Sequence, residues 1–288
     1  MSEFPALETP VPARGHHLPA AGAAVVAVAL LWGLPYPLGD AGRLAAVLVL
    51  QLALVLAWVL VTGIEGFYGS LAIGAAAAGA ADLVLMLPSR AHLGGLLVVL
   101  GIGFLAGILQ QMLRRPRPAV VASLAGGVLL LSAVCALSVL LLEGRSSLGG
   151  PALSTTAVFA VGAALVVQHL TDLVLPRPQL ADLVPRGLAG LLLAVLAGAG
   201  AAYLDRGEGL VGGGALPTGP ATLVYGAVLG GAAGLAALAA SFFAVEGLTV
   251  EDAAAERDLP RTWALPAVQA VLPFAVCAPI ALALQTVL

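Results

Sequence analysis

Long, uniformly apolar runs dominate this chain, and they decide what it can fold into. A transmembrane helix needs about 20 mostly apolar residues, with a range of roughly 17–25, whereas a spanning strand alternates polar with apolar residues over about ten. The runs show no such alternation, so each is predicted to be a helix. Proline, glycine and arginine separate them. The predicted spans are 20–36, 41–62, 67–88, 92–113, 118–142, 152–175, 186–204, 220–245 and 262–288.

The composition agrees with a chain whose surroundings are partly lipid. Of its 288 residues, 61% are hydrophobic and only 9% are charged, whereas a soluble domain carries about 25% charged residues. The longest predicted loops, 205–219 and 246–261, are too short to enclose a core of their own. We therefore predict an all-α, polytopic membrane bundle with one transmembrane domain over 20–288, preceded by a cytoplasmic tail over 1–19.

The distribution of arginine predicts the orientation of the bundle in its membrane. All cations are arginine, and with nine spans eight of them fall on the N-terminal side and four on the other side. Because cytoplasmic loops carry an excess of basic residues, the N-terminus is predicted to be cytoplasmic and the C-terminus outside. The exclusive use of arginine favours a genome rich in G and C, and with it a bacterial plasma membrane.

Small residues recur at intervals of four in two of the predicted spans. The eighth span carries Gly226, Gly230 and Gly234, and the seventh carries Gly190 and Gly198. This spacing lets helix backbones approach closely in lipid, where no hydrophobic effect draws helices together. It predicts helix packing, either within the bundle or against a second copy or another membrane protein.

Polar side chains interrupt the apolar sequence near the end of the sixth span. At 100° per residue, Gln168, His169 and Asp172 share a wedge of about 100°, so we expect all three to face one neighbouring helix. Ionisable residues within spans are costly and are candidates for function. They are predicted either to hydrogen-bond another helix or to bind a headgroup, a metal or a proton. Asp82, near the outer end of the third span, is a second candidate.

A cluster of arginines, Arg114, Arg115 and Arg117, lies directly after the fourth span. Such residues determine topology, and each contributes about 1 kcal/mol to binding near an anionic lipid surface. The cluster is therefore a candidate contact for lipid phosphate, and membrane lipids are the predicted partners. Nothing in the sequence indicates nucleic-acid binding.

One segment resembles a known family over about residues 95–200. The sequence "GILQQMLRRPRPAVVASLAGGVLLLSAVCALSVLLL", the span that contains Asp172, and "PRPQLADLVPRGLAG" resemble the middle of the actinobacterial phosphatidate cytidylyltransferases. There, an arginine-proline turn separates two spans, and a span with an acidic end precedes a basic loop. The resemblance implies a bundle of about nine spans that handles lipid, with Asp172 as the matching acidic residue.

The chain departs from that family at its functional motifs. The acid-glycine-aromatic motif reads Asp172-Leu173-Val174, residues 182–186 replace a Ser-Pro-Lys-Lys loop, and "VEGLTVEDAAAERDLPRTWALP" lacks the paired acids of the C-terminal signature. The carboxylates that would hold a metal-bound nucleotide are missing. We therefore predict no cofactor, no metal site and no catalysis, with a degenerate enzyme of this kind as the residual alternative.

Three functions remain open on the sequence. The first is a lipid-handling or cell-envelope-associated protein that uses the surface around Asp172 and the arginine cluster. The second is a permease for a small solute or ion, with His169 and Asp172 on the pathway. The third is a subunit or scaffold of a larger membrane complex. Permeases place polar groups near the bilayer midplane, whereas this chain keeps them near the ends of its spans.

Overall fold

A computed structural model describes residues 13–87, 93–142, 155–175, 187–205, 218–246 and 260–288, and the chain forms nine α-helices within these ranges. A short 3-10 helix over Val139–Leu142 extends the fifth of them. The helices are α1 (Ala13–Gly33), α2 (Pro35–Thr62), α3 (Phe67–Met86), α4 (Gly94–Leu113), α5 (Val120–Ser138), α6 (Thr155–Val174), α7 (Leu188–Asp205), α8 (Thr218–Glu246) and α9 (Pro260–Val287).

The architecture is that of a helical, multi-pass membrane protein. Eight helices, α2 to α9, are long and apolar enough to cross a bilayer, which confirms the predicted fold class. The predicted spans match the observed helices closely except at the starts of α1 and α2. Helix α1 begins at Ala13, so the end of the predicted tail over 1–19 is helical, and its apolar part is the shorter His17–Gly33.

Helix α1 nevertheless extends along most of α6. At one end, the rings of His17 and His169 lie 5.7 Å apart between centroids. At the other end, the Trp32 and Phe159 rings lie 6.0 Å apart. The two helices are thus antiparallel and reach the same depth, because the 15 residue steps from His17 to Trp32 rise about 22 Å. This pairing supports a membrane crossing by α1.

Two glycines explain where α2 begins and ends as a straight helix. Gly39 has φ 58° and ψ −135°, which interrupts the helical conformation, so the continuous span starts near the predicted position 41. At the other end, Gly63 has φ 60° and ψ 30°. This left-handed conformation costs glycine least, because it has no Cβ, and it ends the helix with the usual C-terminal geometry.

The inside of the bundle is rich in alanine, and its outside is rich in large apolar side chains. Many of the buried residues are alanines, among them Ala46, Ala78, Ala160 and Ala240, and they pack with buried leucines and aromatic residues. Many other large apolar side chains are exposed, as with Leu97, which is 70% exposed. Such exposed apolar surface is stable in contact with acyl chains, so the outer face is what a bilayer would surround.

The helices form two groups joined through α9. Helices α2, α3, α4 and α5 pack on one another, and α6, α7 and α8 pack on one another. Helix α9 contacts members of both groups, and α1 fills the space beside α2, α6 and α9. Consecutive helices run in opposite directions. The α2–α3 and α4–α5 turns therefore lie on one side, together with the start of α1 and the α6–α7 connection; we call this side the arginine face.

Helices α7 and α8 of the second group approach each other closely. A Cβ atom added to Gly198 would collide with the backbone oxygen of Gly226, and one added to Gly230 would collide with the backbone oxygen of Ala194. The Gly234 position faces the Leu191 and Ala194 side chains of α7. These glycines therefore let the two backbones touch within one chain.

Two adjacent glycines of α8 provide a matched test of that contact. The Gly230→Ala substitution should lower the free energy of unfolding by about 1–3 kcal/mol, because a methyl group must separate the two backbones. The neighbouring Gly231 has only an ordinary 3.4 Å neighbour, Val195 Cγ2. Gly231→Ala should therefore be neutral or stabilising by up to about 1 kcal/mol. Thermal unfolding of the purified proteins in detergent measures both, and equal effects would contradict the contact.

Candidate functional site

The polar residues at the end of α6 are buried and contact three different elements. Nδ1 of His169 lies 3.4 Å from Nδ1 of His17 on α1. The Gln168 amide donates a hydrogen bond to the Gly234 carbonyl of α8 at 3.3 Å. Asp172 Oδ1 accepts one from the backbone N–H of Gly187 at 3.0 Å. The expectation that the three side chains face one helix is wrong, because α6 is enclosed on this side by several neighbours.

Asp172 contacts the N-terminus of α7. Gly187 directly precedes that helix, so the carboxylate accepts one of the N–H groups that the first helical turn leaves without an intrahelical partner. A negative charge is favourable there, by typically 0.3–1 kcal/mol. The Asp172 carboxyl also occupies the space where a Cβ of residue 190 would lie. Gly190 therefore makes room for a carboxylate rather than for another helix backbone.

Asp82 lies in a separate polar group near the opposite face. The amide nitrogen of Gln51 on α2 is 3.0 Å from Asp82 Oδ1, 2.8 Å from Ser138 Oγ and 3.2 Å from the Val134 carbonyl oxygen. The Ser138 hydroxyl donates to the same carbonyl at 3.2 Å. We refer to Asp82, Gln51, Ser138 and Val134 as the Asp82 cluster. The structure does not bring Asp82 and Asp172 together.

The arginine cluster organises the turn between α4 and α5. Arg114 forms a 2.9 Å ion pair with Glu65 and donates to the Pro118 carbonyl at 2.7 Å. Arg117 donates to the carbonyls of Arg114 and Met112 at the end of α4, where cations are favourable. Arg115 is exposed. Two of the three arginines thus hold the turn together, and the third points outward.

A groove between α3, α4 and α5 opens just beneath this turn. Its empty volume of about 420 Å³ includes the part that is open to the surroundings. Glycines form much of its wall, and Cβ atoms added to Gly107 and Gly127 would meet nothing within 4 Å. The lining residues are Ser70, Ile73, Gly74, Gly103, Phe104, Gly107, Gln110, Gln111, Ser123, Leu124, Gly127, Val128, Leu130 and Leu131.

The groove is polar near the arginine face and apolar toward the middle of the bundle. Gln110 donates to the Gly66 carbonyl at 3.0 Å, and Gln111 donates to the Glu65 carbonyl at 3.1 Å. The Gln111 side-chain oxygen accepts no hydrogen bond from the residues described, and the residue is only 3% exposed. From Gln111 to Gly103 the groove extends about 12 Å along α4, and it ends among leucines.

Several of these residues are absent from the sequence-based prediction. Gln51, Gln110, Gln111 and Ser138 are polar residues in mainly apolar helices, and only the three-dimensional arrangement gives each its partners. A sequence signal did exist for the glutamines, since the pair lies only three and four residues before Arg114. His17 belongs to an N-terminal segment that was predicted to be mostly tail, which hid its pairing with His169.

Comparisons with known proteins add no functional assignment. The chain matches no protein-family model, no curated protein and no solved structure. Within the described ranges, no group of three or more His, Cys, Asp or Glu side chains is placed to hold a metal ion.

The contact between Asp172 and α7 can be tested by a double-mutant cycle. Gly190→Ala should cost about 1–3 kcal/mol of stability, because its methyl group displaces the carboxylate. Asp172→Ala should cost about 1 kcal/mol, from the lost interhelical hydrogen bond and the charge at the helix end. Together they should cost clearly less than the sum, since the methyl then has space. Thermal unfolding measures each variant.

The control for this cycle is Gly200→Ala on the same helix, where an added Cβ meets nothing within 4 Å. This variant should unfold like the wild type or slightly later, with or without Asp172→Ala. Strictly additive losses for Gly190→Ala and Asp172→Ala would contradict the assigned contact.

Proposed function

We propose that this chain is a non-catalytic, lipid-handling protein of a bacterial plasma membrane, with a cytoplasmic N-terminus and an outside C-terminus. The observation that carries the proposal is the groove between α3, α4 and α5. It is an elongated recess that changes from polar to apolar over about 12 Å, and the arginine cluster follows the glutamines of its polar end in the sequence. An amphipathic ligand has the same arrangement of polar and apolar parts.

The apolar part of the groove suits one acyl chain. Ile73, Val128, Leu130 and Leu131 line it, and the neighbouring glycines leave space that in the second group of helices is filled by close backbone contact. Phe104 lies at its edge and is 41% exposed. Because the groove is open to the surroundings, most of a bound lipid would lie in the surrounding bilayer.

The polar end suits an anionic headgroup. Exposed Arg115 supplies a cation that the turn does not use, and juxtamembrane arginines favour anionic lipids by about 1 kcal/mol each. The buried Gln111 oxygen is an acceptor, so it favours a headgroup or glycerol hydroxyl that donates a hydrogen bond. Phosphate at Arg115 and a hydroxyl at Gln111 together describe an anionic phospholipid with a free hydroxyl.

The other functional hypotheses have less support. A permease requires a polar pathway, whereas Asp82 and Asp172 belong to separate groups near opposite faces. A partner bound through the glycines of α7 and α8 would have to displace contacts that these helices make with each other. The resemblance to the cytidylyltransferases agrees with a lipid ligand, and the missing motifs argue against nucleotidyl transfer.

Filling the groove should abolish lipid retention without unfolding the bundle. Gly107→Leu places a side chain in open space within the groove, and we expect about tenfold less anionic phospholipid on the purified protein, equivalent to about 1.4 kcal/mol. Arg115→Gln should reduce it about fivefold, equivalent to about 1 kcal/mol. Native mass spectrometry after detergent extraction measures the retained lipid.

Gly101→Leu is the matched control. Gly101 also lies on α4 with open space around it, yet it does not line the groove. Its lipid content should equal that of the wild type. Equal lipid content in Gly101→Leu and Gly107→Leu would contradict the proposed site, and a preference for zwitterionic lipid would contradict the headgroup assignment.

A further inference from the structure

The Asp82 cluster combines a buried carboxylate with several other oxygen atoms. Asp82 is 2% exposed within a membrane-spanning helix, where an ionised side chain is costly unless it is neutralised. In the part of the chain that the structure describes, Asp82 forms no ion pair. The arginine of neighbouring α2, Arg43, is paired instead with Asp40 at 2.7 Å.

The hydrogen bonds of the cluster leave only acceptors without donors. The two N–H groups of the Gln51 amide donate hydrogen bonds to Asp82 Oδ1 and Ser138 Oγ, while the Ser138 hydroxyl donates to the Val134 carbonyl. The atoms that remain buried without a partner among the described residues are Asp82 Oδ2 and Gln51 Oε1. Both are oxygen acceptors, so what they require is a donor or a positive charge.

We infer that the Asp82 cluster is a binding site for one monovalent cation, either Na⁺ or a proton. A single carboxylate balances a single positive charge, and carboxylate, amide, hydroxyl and backbone carbonyl oxygens are the ligands that hard cations use. The site lies about one helical turn from the end of α3 at the opposite face, since Met86 is four residues beyond Asp82.

Within the described ranges, the elements around Asp82 offer no competing charge. From α5, the titratable group on this side is the Cys135 thiol, one turn before Ser138, and it is buried. Helix α4 carries no charged residue between Gly94 and Leu113. On α2, Asp40 and Arg43 lie at least two turns from Gln51 and neutralise each other. The charge state of Asp82 therefore decides whether the cluster is occupied.

Ion-dependent thermal stability of the purified, full-length protein tests the site. At a Na⁺ concentration about ten times the Kd, binding multiplies the ratio of folded to unfolded protein about 11-fold, which should raise Tm by roughly 3–6 °C relative to choline chloride at equal ionic strength. If the ligand is a proton, Na⁺ has no effect, and Tm in choline chloride should rise as the pH falls from about 8 to about 5.

Variants separate this site from the other titratable groups. Asp82→Asn should abolish the response that the wild type shows, and Asp40→Asn, which removes an exposed acid, should retain it. Ser138→Ala keeps Asp82 but removes one oxygen, so it should shift the response to higher Na⁺ or lower pH. If Asp82→Asn does not fold, the Ser138→Ala result tests the site in its place. A wild-type Tm that depends on neither ion would overturn the inference. So would an unaltered response in Asp82→Asn or, if that variant does not fold, in Ser138→Ala.

Discussion

The absence of water from the hydrocarbon core is the constraint on which the rest of this structure depends. Helices there gain nothing from burying apolar surface, so close packing and a few interhelical hydrogen bonds must hold them together. The chain meets this requirement with small residues inside and with polar side chains that have partners on other helices. Gln51, Gln111 and Gln168 each bond a different helix or turn, and each such bond contributes about 0.6 kcal/mol on average.

The same small residues have different consequences in the two groups of helices. Between α7 and α8, glycine allows backbones to touch, and Gly190 admits the carboxylate that binds the start of α7. Among α3, α4 and α5, glycines instead leave a recess, because Gly107 and Gly127 face no neighbour. The helices α6, α7 and α8 are thus tightly packed, whereas α3, α4 and α5 leave an open recess between them. This difference supports a site for acyl chains on the open side.

Hydropathy, together with the proline and glycine residues that mark the turns, predicted the helical class and nearly all the helix ends, because the membrane fixes helix length. The start of α1 was placed too late, since polar residues such as His17 precede the apolar run. The site was predictable only in part. Periodicity identified His169 and Asp172, but one helix cannot reveal how many neighbours surround it. The groove depends on the distances between α3, α4 and α5, and these distances cannot be inferred from the sequence alone.

The assignment of each site to one side of the membrane depends on nine crossings, with α1 as the first, and on the proposed cytoplasmic position of the arginine face. Fusions to a reporter that is active only in the periplasm test this directly. We expect a fusion after Pro116 to be silent and a fusion after Leu288 to be active, because an odd number of crossings puts the C-terminus opposite the N-terminus. Equal activity at both positions would contradict the separation of the faces, and the reverse pattern would contradict the orientation.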